Sequence, residues 1–384
     1  MLRFLTSGES HGRALNVIID GFPANVEFDF EFLNNELKRR KVGYGRGGRM
    51  NIETDEAVVI SGVRFGKTTG APICVEIKNR DNANWTGTMS VLPVPGEVAE
   101  EKRITRLRPG HADFAGAVKY DQDDIRNILE RSSARETAAR TAVGAFAKML
   151  LKNFGITGFS HTVRIKDVVI SDKTDVSAEV AEKSDLRCCD EKAYVLMKNR
   201  IDEAAKEGVS LGGTVEVRFK NLPVGLGSHV QWDRRLDGLL AQAVMSIPAV
   251  KAVEIGAGIK VAELSGKDTH DEIFYENGKF YRKTNNAGGL EGGMTNGEEL
   301  VIRAVMKAIP TMPTPLRSVD FVTKEETNAH FERADVCAVP ACGVVAESMV
   351  AIVLANAFCE KFGCDNLAQI TENYENYTKK AGSR

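Results

Sequence analysis

Alternation of apolar and polar positions marks several short strands along the chain. In the segment 214–219, Val215, Val217 and Phe219 alternate with polar residues. Successive side chains of a strand point to opposite faces, so this pattern is typical of an antiparallel sheet with one face on a core. Runs rich in β-branched residues predict strands over 14–19, 57–63, 73–77, 162–170, 214–219, 253–255 and 300–306.

Helical periodicity predicts a long helix over 121–154. Acidic residues begin this run, and Lys148 and Lys152 end it, which suits the helix dipole. Asp29 and Asp233 are the predicted N-caps of two shorter helices. Because strands and helices are interspersed, the predicted fold class is α+β.

The longest apolar stretch, 343–358, is predicted to form a buried helix. Glu347 and Asn356 interrupt it, and it is shorter than the roughly 20 residues that a bilayer requires. The first five residues contain no apolar run of signal-peptide length. We therefore expect no membrane association.

No composition shift, linker or internal repeat divides the chain, so we predict one domain over 1–384. The segment 171–192 is charged and poor in large apolar residues, which predicts a surface excursion. The tail after 363 carries no diagnostic pattern.

Composition limits the possible partners. The 384 residues carry 51 Lys and Arg against 53 Asp and Glu, and the net charge of −2 excludes the bulk basicity of a general nucleic-acid binder. Any anion site must therefore be local. The seven cysteines match no metal-binding spacing, which favours reduced thiols in a cytoplasmic protein and no metal.

Two histidines stand beside glycines, and each is a candidate for proton transfer. His11 lies within Gly8-Glu-Ser-His-Gly12, and His111 follows Arg108, Pro109 and Gly110. Imidazole exchanges protons near neutral pH, so a shared acid–base role is our interpretation. The alternative is that both are structural histidines in turns.

Six cations lie within the twelve positions 38–49 with no acidic residue among them. Arginine forks match phosphate and carboxylate groups, so this segment predicts a small polyanionic ligand. A solvated basic face and an RNA-binding loop are the alternatives, although Tyr44 is the one aromatic residue there. The glycines at 43–48 also fit a dinucleotide fingerprint, but a charged run precedes them where a strand is required.

Weaker candidates lie further along the chain. Arg131 and Arg135 would share a face of the long helix, with small residues between them that leave room for a flat ligand. An internal ion-pair ladder is the alternative there. The glycine-rich runs at 225–229 and 285–295 could supply backbone donors. Arg333 and Asp335 could hold an anion and act as a base.

Taken in order, these segments resemble the chorismate synthase family from residue 6 to about 362. The resemblance rests on the motifs at 8–12, 43–50, 108–120, 125–138, 224–237, 285–295 and 316–320. It implies a helical layer between antiparallel sheets, assembled as a homotetramer. It also implies a shikimate-pathway lyase that eliminates phosphate from 5-enolpyruvylshikimate 3-phosphate, using reduced FMN without net redox change, on the route to aromatic amino acids.

The same resemblance assigns roles to residues. The implied substrate-binding residues are Ser10, Arg40, Arg46, Arg49, Arg108, Arg135 and Arg333. The implied FMN-binding residues are Arg131, Ser132, Ser133, Pro248, Ala249, Gly292, Lys307, Ala308, Ile309, Pro310, Thr311 and Arg333. His11 would assist the leaving phosphate, His111 would tune the protonation of the flavin, and Asp335 would help to pass a proton through flavin N5.

Two other functions remain open from the residues alone. A flavin oxidoreductase acting on a phosphorylated small acid could use the same cations, and an RNA-binding protein could use the basic segment. Some members of the family also carry NAD(P)H:flavin reductase activity, and the residues do not decide whether this chain does.

Overall fold

A computed structural model describes residues 2–48 and 54–382. The strands are β1 (Arg3–Ser7), β2 (Ala14–Asp20), β3 (Ala57–Ser61), β4 (Val63–Arg64), β5 (Lys67–Thr68), β6 (Ile73–Lys78), β7 (Thr157–Ile165), β8 (Val168–Val169), β9 (Gly213–Lys220), β10 (Val250–Ile255), β11 (Ile273–Glu276), β12 (Lys279–Arg282), β13 (Leu290–Glu291), β14 (Met294–Thr295), β15 (Leu300–Met306), β16 (Arg317–Val319) and β17 (Glu326–Asn328). The α-helices are α1 (Phe30–Lys41), α2 (Gly96–Glu100), α3 (Asp113–Tyr120), α4 (Arg126–Ser132), α5 (Thr137–Lys152), α6 (Ala178–Lys183), α7 (Glu191–Glu207), α8 (Leu236–Met245), α9 (Gly266–Thr269), α10 (Val339–Phe362) and α11 (Leu367–Gly382).

Two antiparallel sheets enclose a layer of helices. The first sheet has the order β1-β2-β6-β3, and the second has the order β10-β15-β9-β7-β8. Helix α5 packs on the first sheet, α10 packs on the second, and the two helices contact each other. The expected helical layer between antiparallel sheets is therefore confirmed.

Strand periodicity explains how each sheet presents an apolar face to the helices. In β2, Leu15, Val17 and Ile19 are buried, whereas Ile18 between them is 48% exposed. The predicted strands at 14–19, 73–77, 214–219 and 300–306 are confirmed as β2, β6, β9 and β15. The prediction over 162–170 missed the start of β7, which begins at Thr157.

The prediction of one long helix over 121–154 is wrong. The segment contains α4, a 3₁₀ turn over Ala134–Glu136, and α5. Ser133 separates the two helices because its backbone is extended, with φ −63° and ψ 142°, and its side chain accepts a hydrogen bond from Arg135 N. Arg131 and Arg135 consequently do not share a helix face. The apolar periodicity continues on both sides of the break and therefore conceals it.

The two predicted caps have different outcomes. Asp29 caps α1 as expected, because its Oδ1 accepts a hydrogen bond of 2.8 Å from Phe32 N. Asp233 does not cap α8, since it lies in a 3₁₀ turn over Trp232–Arg234 and Arg235 occupies the N-cap position.

The apolar stretch at 343–358 is confirmed as a buried helix, α10. All but four of its 24 residues are buried, the exceptions being Val353, Asn356, Glu360 and Lys361. By length and composition α10 could cross a bilayer, but 89% of its most apolar window is buried inside the fold. Asn356, one of the two polar interruptions, accepts a hydrogen bond of 3.0 Å from Leu2 N and so ties β1 to the helix.

The other interruption, Glu347, is a fully buried carboxylate at the centre of an ionic network. Its oxygens accept hydrogen bonds from Arg39 of α1 at 2.9 Å and from Lys148 of α5 at 2.7 Å. Burial alone would raise the pKa of Glu347, but three surrounding cations hold it well below its ordinary value. The carboxylate is therefore charged and binds the layers together.

The network continues on the other side of Glu347. Ser160 of β7 donates to it from both its backbone N, at 2.8 Å, and its Oγ, at 2.6 Å, and Arg187 Nη2 donates at 3.2 Å. Glu36 and Glu182 bind the same cations. Three cations and three carboxylates thus balance in a network that runs from the buried Glu347 to the partly exposed Glu182.

The segment 171–192, predicted as a surface excursion, is exposed in its first part but contributes buried residues further on. Ala181, Leu186 and Cys188 are buried, and Arg187, between the last two, reaches Glu347. Residues 191–207 form α7, which was not predicted from the pattern; Ala193, Met197, Ile201 and Ala204 are its buried positions.

We predict that Glu347→Gln lowers the free energy of unfolding by about 3–5 kcal/mol, because an amide cannot balance the buried cations that remain. Glu360→Gln on the same helix is the matched control, since Glu360 pairs with Arg234 at the surface and both side chains are more than half exposed. The control should change stability by no more than about 1 kcal/mol. Urea denaturation of both variants measures the difference, and equal losses would contradict a central role for Glu347.

Candidate active site

A cavity of about 420 Å³ opens where the 3₁₀ turn after α4, the loop after α1 and the start of α10 meet. This volume is in the range of small-molecule sites. Two carboxylates, Glu332 and Asp335, are among the described residues that line it. They are outnumbered by the lining cations, which are Arg40, Arg46, Arg108, Arg135, Lys307 and Arg333.

The remainder of the lining is largely apolar. It comes from α4, the loop between α8 and β10, the end of β15 with the segment after it, and the start of α10. The apolar lining residues include Leu129, Ile247, Met306, Ile309, Ala338, Ala341, Cys342 and Val345. One cavity therefore offers both a cationic wall and an apolar surface.

Asp55 holds two of the arginines from behind the wall. Its side chain is fully buried, and it bonds to Arg40 Nη2 at 2.6 Å and to Arg135 Nη1. Burial alone would raise the pKa of Asp55, but the two guanidinium groups lower it. Asn79 Oδ1 also accepts a hydrogen bond of 2.9 Å from Arg135 Nε. These contacts place two guanidinium groups side by side at the cavity.

Asp113, the first residue of α3, organises a second part of the wall. Its carboxylate accepts hydrogen bonds from Arg108 Nε at 2.8 Å and Nη2 at 3.0 Å, and it lies 2.5 Å from His111 Nδ1. Burial alone would raise the pKa of Asp113, but the hydrogen bonds from His111 and Arg108 lower it to about 2.

The loop after α1 meets the loop before α10 at a third point. Arg46 Nη1 pairs with Asp335 Oδ2 at 3.0 Å, and Gly47 N donates a hydrogen bond of 2.6 Å to Asp335 Oδ1. Arg333 is exposed and forms no ion pair with any residue that the structure describes. Lys307 Nζ donates to the carbonyl oxygen of Gly110.

The Gly8–Gly12 turn approaches the cavity through Ser10. Gly8 has φ +102°, and a Cβ there would lie 2.2 Å from Ala14 O, so only glycine fits this turn. Ser10 lines the cavity, and its Oγ lies 3.2 Å from Ser133 Oγ. The motif therefore contributes a hydroxyl to the site.

His11 does not line this cavity. Its Nδ1 lies 2.7 Å from Glu130 Oε1, and its ring stacks on Trp85 with centroids 4.0 Å apart. Its Nε2 lies 3.9 Å from Asp81 Oδ2. The structure thus brings His111 and Asp335 to the cavity and leaves His11 buried beside it.

The positions predicted for FMN divide in the same way. Nine of them line the cavity: Ser132, Ser133, Pro248, Ala249, Lys307, Ile309, Pro310, Thr311 and Arg333. Arg131, Ala308 and Gly292 lie outside its described lining. Arg131 instead donates to the carbonyl oxygens of Gly8 and Thr6. Arg49, predicted to bind substrate, lies outside the described residues.

The basic segment is not used as a unit. Of its described cations, Arg40 and Arg46 line the cavity, whereas Arg39 joins the network around Glu347. Two of the three arginines of this segment that were predicted to bind the substrate, Arg40 and Arg46, therefore lie at the cavity, and the anion itself stays a prediction. Adjacent positions of α1 differ by about 100° around the helix axis, which sends Arg39 and Arg40 in different directions.

Sequence reasoning missed the carboxylates that orient the arginines. Asp113 lies two residues after His111 within the 108–120 motif, so the sequence contained a signal for it. Asp55 belongs to no motif and becomes visible only through its contacts with Arg40 and Arg135. Glu332 pairs with Arg126 and His330, and burial alone would raise its pKa, but the hydrogen bond from His330 and the charge of Arg126 lower that pKa to about 2.

The fold and this cavity together are typical of an enzyme with a small-molecule site that is partly cationic and partly apolar. The chorismate synthase family model matches residues 2–359. Chorismate synthase of Moorella thermoacetica is 55% identical over 380 residues, and that of Carboxydothermus hydrogenoformans is 51% identical over 380 residues, each with 98% of both chains covered.

A solved structure is also similar. A crystal structure of chorismate synthase superposes with a TM-score of 0.80 and 42% identity, covering 100% of this chain and 99% of the other. The chain belongs to the chorismate synthase family, and its activity is that of a carbon–oxygen lyase of aromatic amino-acid biosynthesis.

We predict that Gly47→Ala lowers kcat/KM for chorismate formation by about tenfold or more. A Cβ there would lie 2.8 Å from Ala334 O, so the loop that carries Arg333 and Asp335 must shift. Gly48→Ala is the control, because no described atom lies within 4 Å of its added Cβ. Steady-state kinetics of both variants measure the effect. Equal kcat/KM values would show that the position of the loop carrying Arg333 and Asp335 does not affect catalysis.

Proposed function

We propose that this cavity holds 5-enolpyruvylshikimate 3-phosphate and reduced FMN together. The observation that carries the proposal is the placement of a cationic wall and an apolar surface within one cavity. An anion-rich ring would lie against the wall, and a flat apolar ring would lie against the other surface. Both ligands would then be in contact and shielded from water.

The charge of the substrate matches the wall. The substrate carries two carboxylates and a phosphate, and six cations line the cavity against two carboxylates. Guanidinium groups bind such anions through paired, charge-assisted hydrogen bonds. We assign this binding to Arg40, Arg46, Arg108, Arg135 and Arg333, together with Ser10, and extend it to Arg49 from the resemblance.

The apolar surface suits an isoalloxazine ring. Ile247, Ala338 and Val345 belong to it, and Ser132, Ser133, Lys307 and residues 309–311 line the same cavity. Reduced FMN held there would supply electron density to the departure of phosphate without net oxidation of the substrate. The chain's own part is to bind, orient and exclude water.

Proton handling falls to side chains at the cavity. His111 lines it and is the proposed acid–base residue beside the flavin, and Asp335 is the proposed base near Arg333. Ser10 reaches the cavity from the Gly8–Gly12 turn. His11 is proposed to assist the leaving phosphate, although its ring stacks on Trp85 and is not part of the described cavity lining.

We also propose a homotetramer of single-domain chains in the cytoplasm. One hydrophobic cluster includes residues of both sheets and of α5 and α10, which supports a single domain. All seven cysteines are unpaired, which fits a reducing compartment.

An anaerobic assay tests the function. With photoreduced FMN and 5-enolpyruvylshikimate 3-phosphate, we expect phosphate and chorismate in equal amounts over many turnovers, without stoichiometric loss of reduced flavin. Consumption of one reduced flavin per product would instead identify an oxidoreductase. Salt-dependent binding of arbitrary RNA with no flavin affinity would favour the nucleic-acid alternative.

We predict that Arg333→Ala raises KM for the substrate ten- to a hundredfold, since losing one charge-assisted contact costs about 1.5–3 kcal/mol. Arg333 forms no ion pair with a described residue, so its removal strands no carboxylate. Arg317→Ala, an exposed arginine on β16, is the control and should leave KM unchanged. An unaltered KM in Arg333→Ala would exclude this residue from the anion site.

A further inference from the structure

Asp113 does not line the cavity, yet it touches two residues that do. Its side chain is fully buried at the start of α3. Oδ2 accepts hydrogen bonds from Arg108 N at 3.0 Å and Nε at 2.8 Å, and Oδ1 accepts one from Arg108 Nη2 at 3.0 Å. His111 Nδ1 lies 2.5 Å from the same Oδ1.

These contacts determine where His111 carries its proton. An ionised carboxylate can only accept hydrogen bonds, so Nδ1 must be the protonated ring nitrogen at this distance. Arg108 Nη2 also lies 3.0 Å from His111 Nδ1, but a guanidinium group can only donate hydrogen bonds. Arg108 Nη2 and His111 Nδ1 therefore both donate to Asp113 Oδ1. Nε2 is then the ring nitrogen left to serve the cavity that His111 lines.

The same carboxylate orients Arg108. Nε and Nη2 are held by Asp113, which leaves Nη1, 3.4 Å from Thr311 Oγ1, on the side of the cavity. A paired contact of this kind fixes the plane of the guanidinium. One buried group thus sets the direction of both a cation and an imidazole.

We propose that Asp113 is a positioning residue that keeps the proton of His111 on Nδ1 and presents Nε2 to the ligand. The proposal deepens the proposed function, on which its kinetic consequence rests. The tautomer itself does not depend on the substrate or on FMN and can be measured in the ligand-free protein.

A second histidine–carboxylate pair in the chain provides a matched control. His161 Nε2 lies 3.0 Å from Glu216 Oε1, both side chains are buried, and Glu216 also binds Arg218 and Arg303. Neither His161 nor Glu216 lines the cavity. Glu216→Gln therefore makes the same chemical change in a similar buried environment away from the site.

The test is ¹⁵N NMR of the imidazole side chains of the full-length protein at alkaline pH, with His111 assigned from His111→Gln. We expect the Nδ1–H tautomer in the wild type. In Asp113→Asn the Arg108 donors occupy the amide oxygen, and the amide NH₂ faces Nδ1, so the proton of His111 moves to Nε2. Glu216→Gln should leave the His111 signals in place.

Kinetics supply the second readout. Asp113→Asn should lower kcat by ten- to a thousandfold, whereas Glu216→Gln should reduce thermal stability and leave kcat nearly unchanged. An Nε2–H tautomer in the wild type, or an Asp113→Asn variant that retains both Nδ1–H and kcat, would overturn the proposal. A wild type with the Nδ1–H tautomer but no chorismate formation would refute the proposed function and still uphold the positioning role.

Discussion

The buried charge of Glu347 is the constraint on which the arrangement of the layers depends. An isolated carboxylate in a protein core is too costly to persist, so cations must be supplied wherever it lies. Arg39 of α1, Lys148 of α5 and the loop carrying Arg187 all converge on it, and β7 contributes Ser160. Because Arg39 is committed to the core, the next residue of α1, Arg40, is directed to the cavity. The interaction that joins the layers therefore also orients part of the site.

The network around Glu347 and the cavity differ in their charge balance. Around Glu347 the cations and carboxylates are equal in number, so the network needs no bound ion to neutralise it. At the cavity the cations exceed the carboxylates, and Asp55 and Asp113 behind the wall hold the arginines without neutralising all of them. Like charges held together in this way repel one another, and a bound anion lowers the free energy of the site by relieving that repulsion. The surplus is thus a property of the folded chain before any ligand is considered.

Much of the fold was predictable because the alternation in the strands and the apolar run of α10 match the positions that are buried. The break at Ser133 was not, since the apolar periodicity continues through it and one contact of its side chain is with Ser10, far away in the sequence. For the site, the motifs supplied Arg108, His111 and Asp335, which line the cavity. They could not separate Arg39 from Arg40, because the difference lies in which face of α1 meets which layer.

The two histidines that looked alike in sequence occupy different environments. Each has Nδ1 against a carboxylate, Glu130 for His11 and Asp113 for His111, so each would present Nε2. His111 already lines the cavity, whereas the ring of His11 lies against Trp85 and its Nε2 faces Asp81. At 3.9 Å the Asp81 carboxylate is beyond hydrogen-bond distance of His11 Nε2, but its negative charge disfavours a phosphate at that nitrogen. In this arrangement His111 is therefore better placed than His11 to serve a ligand in the cavity, because it already lines the cavity.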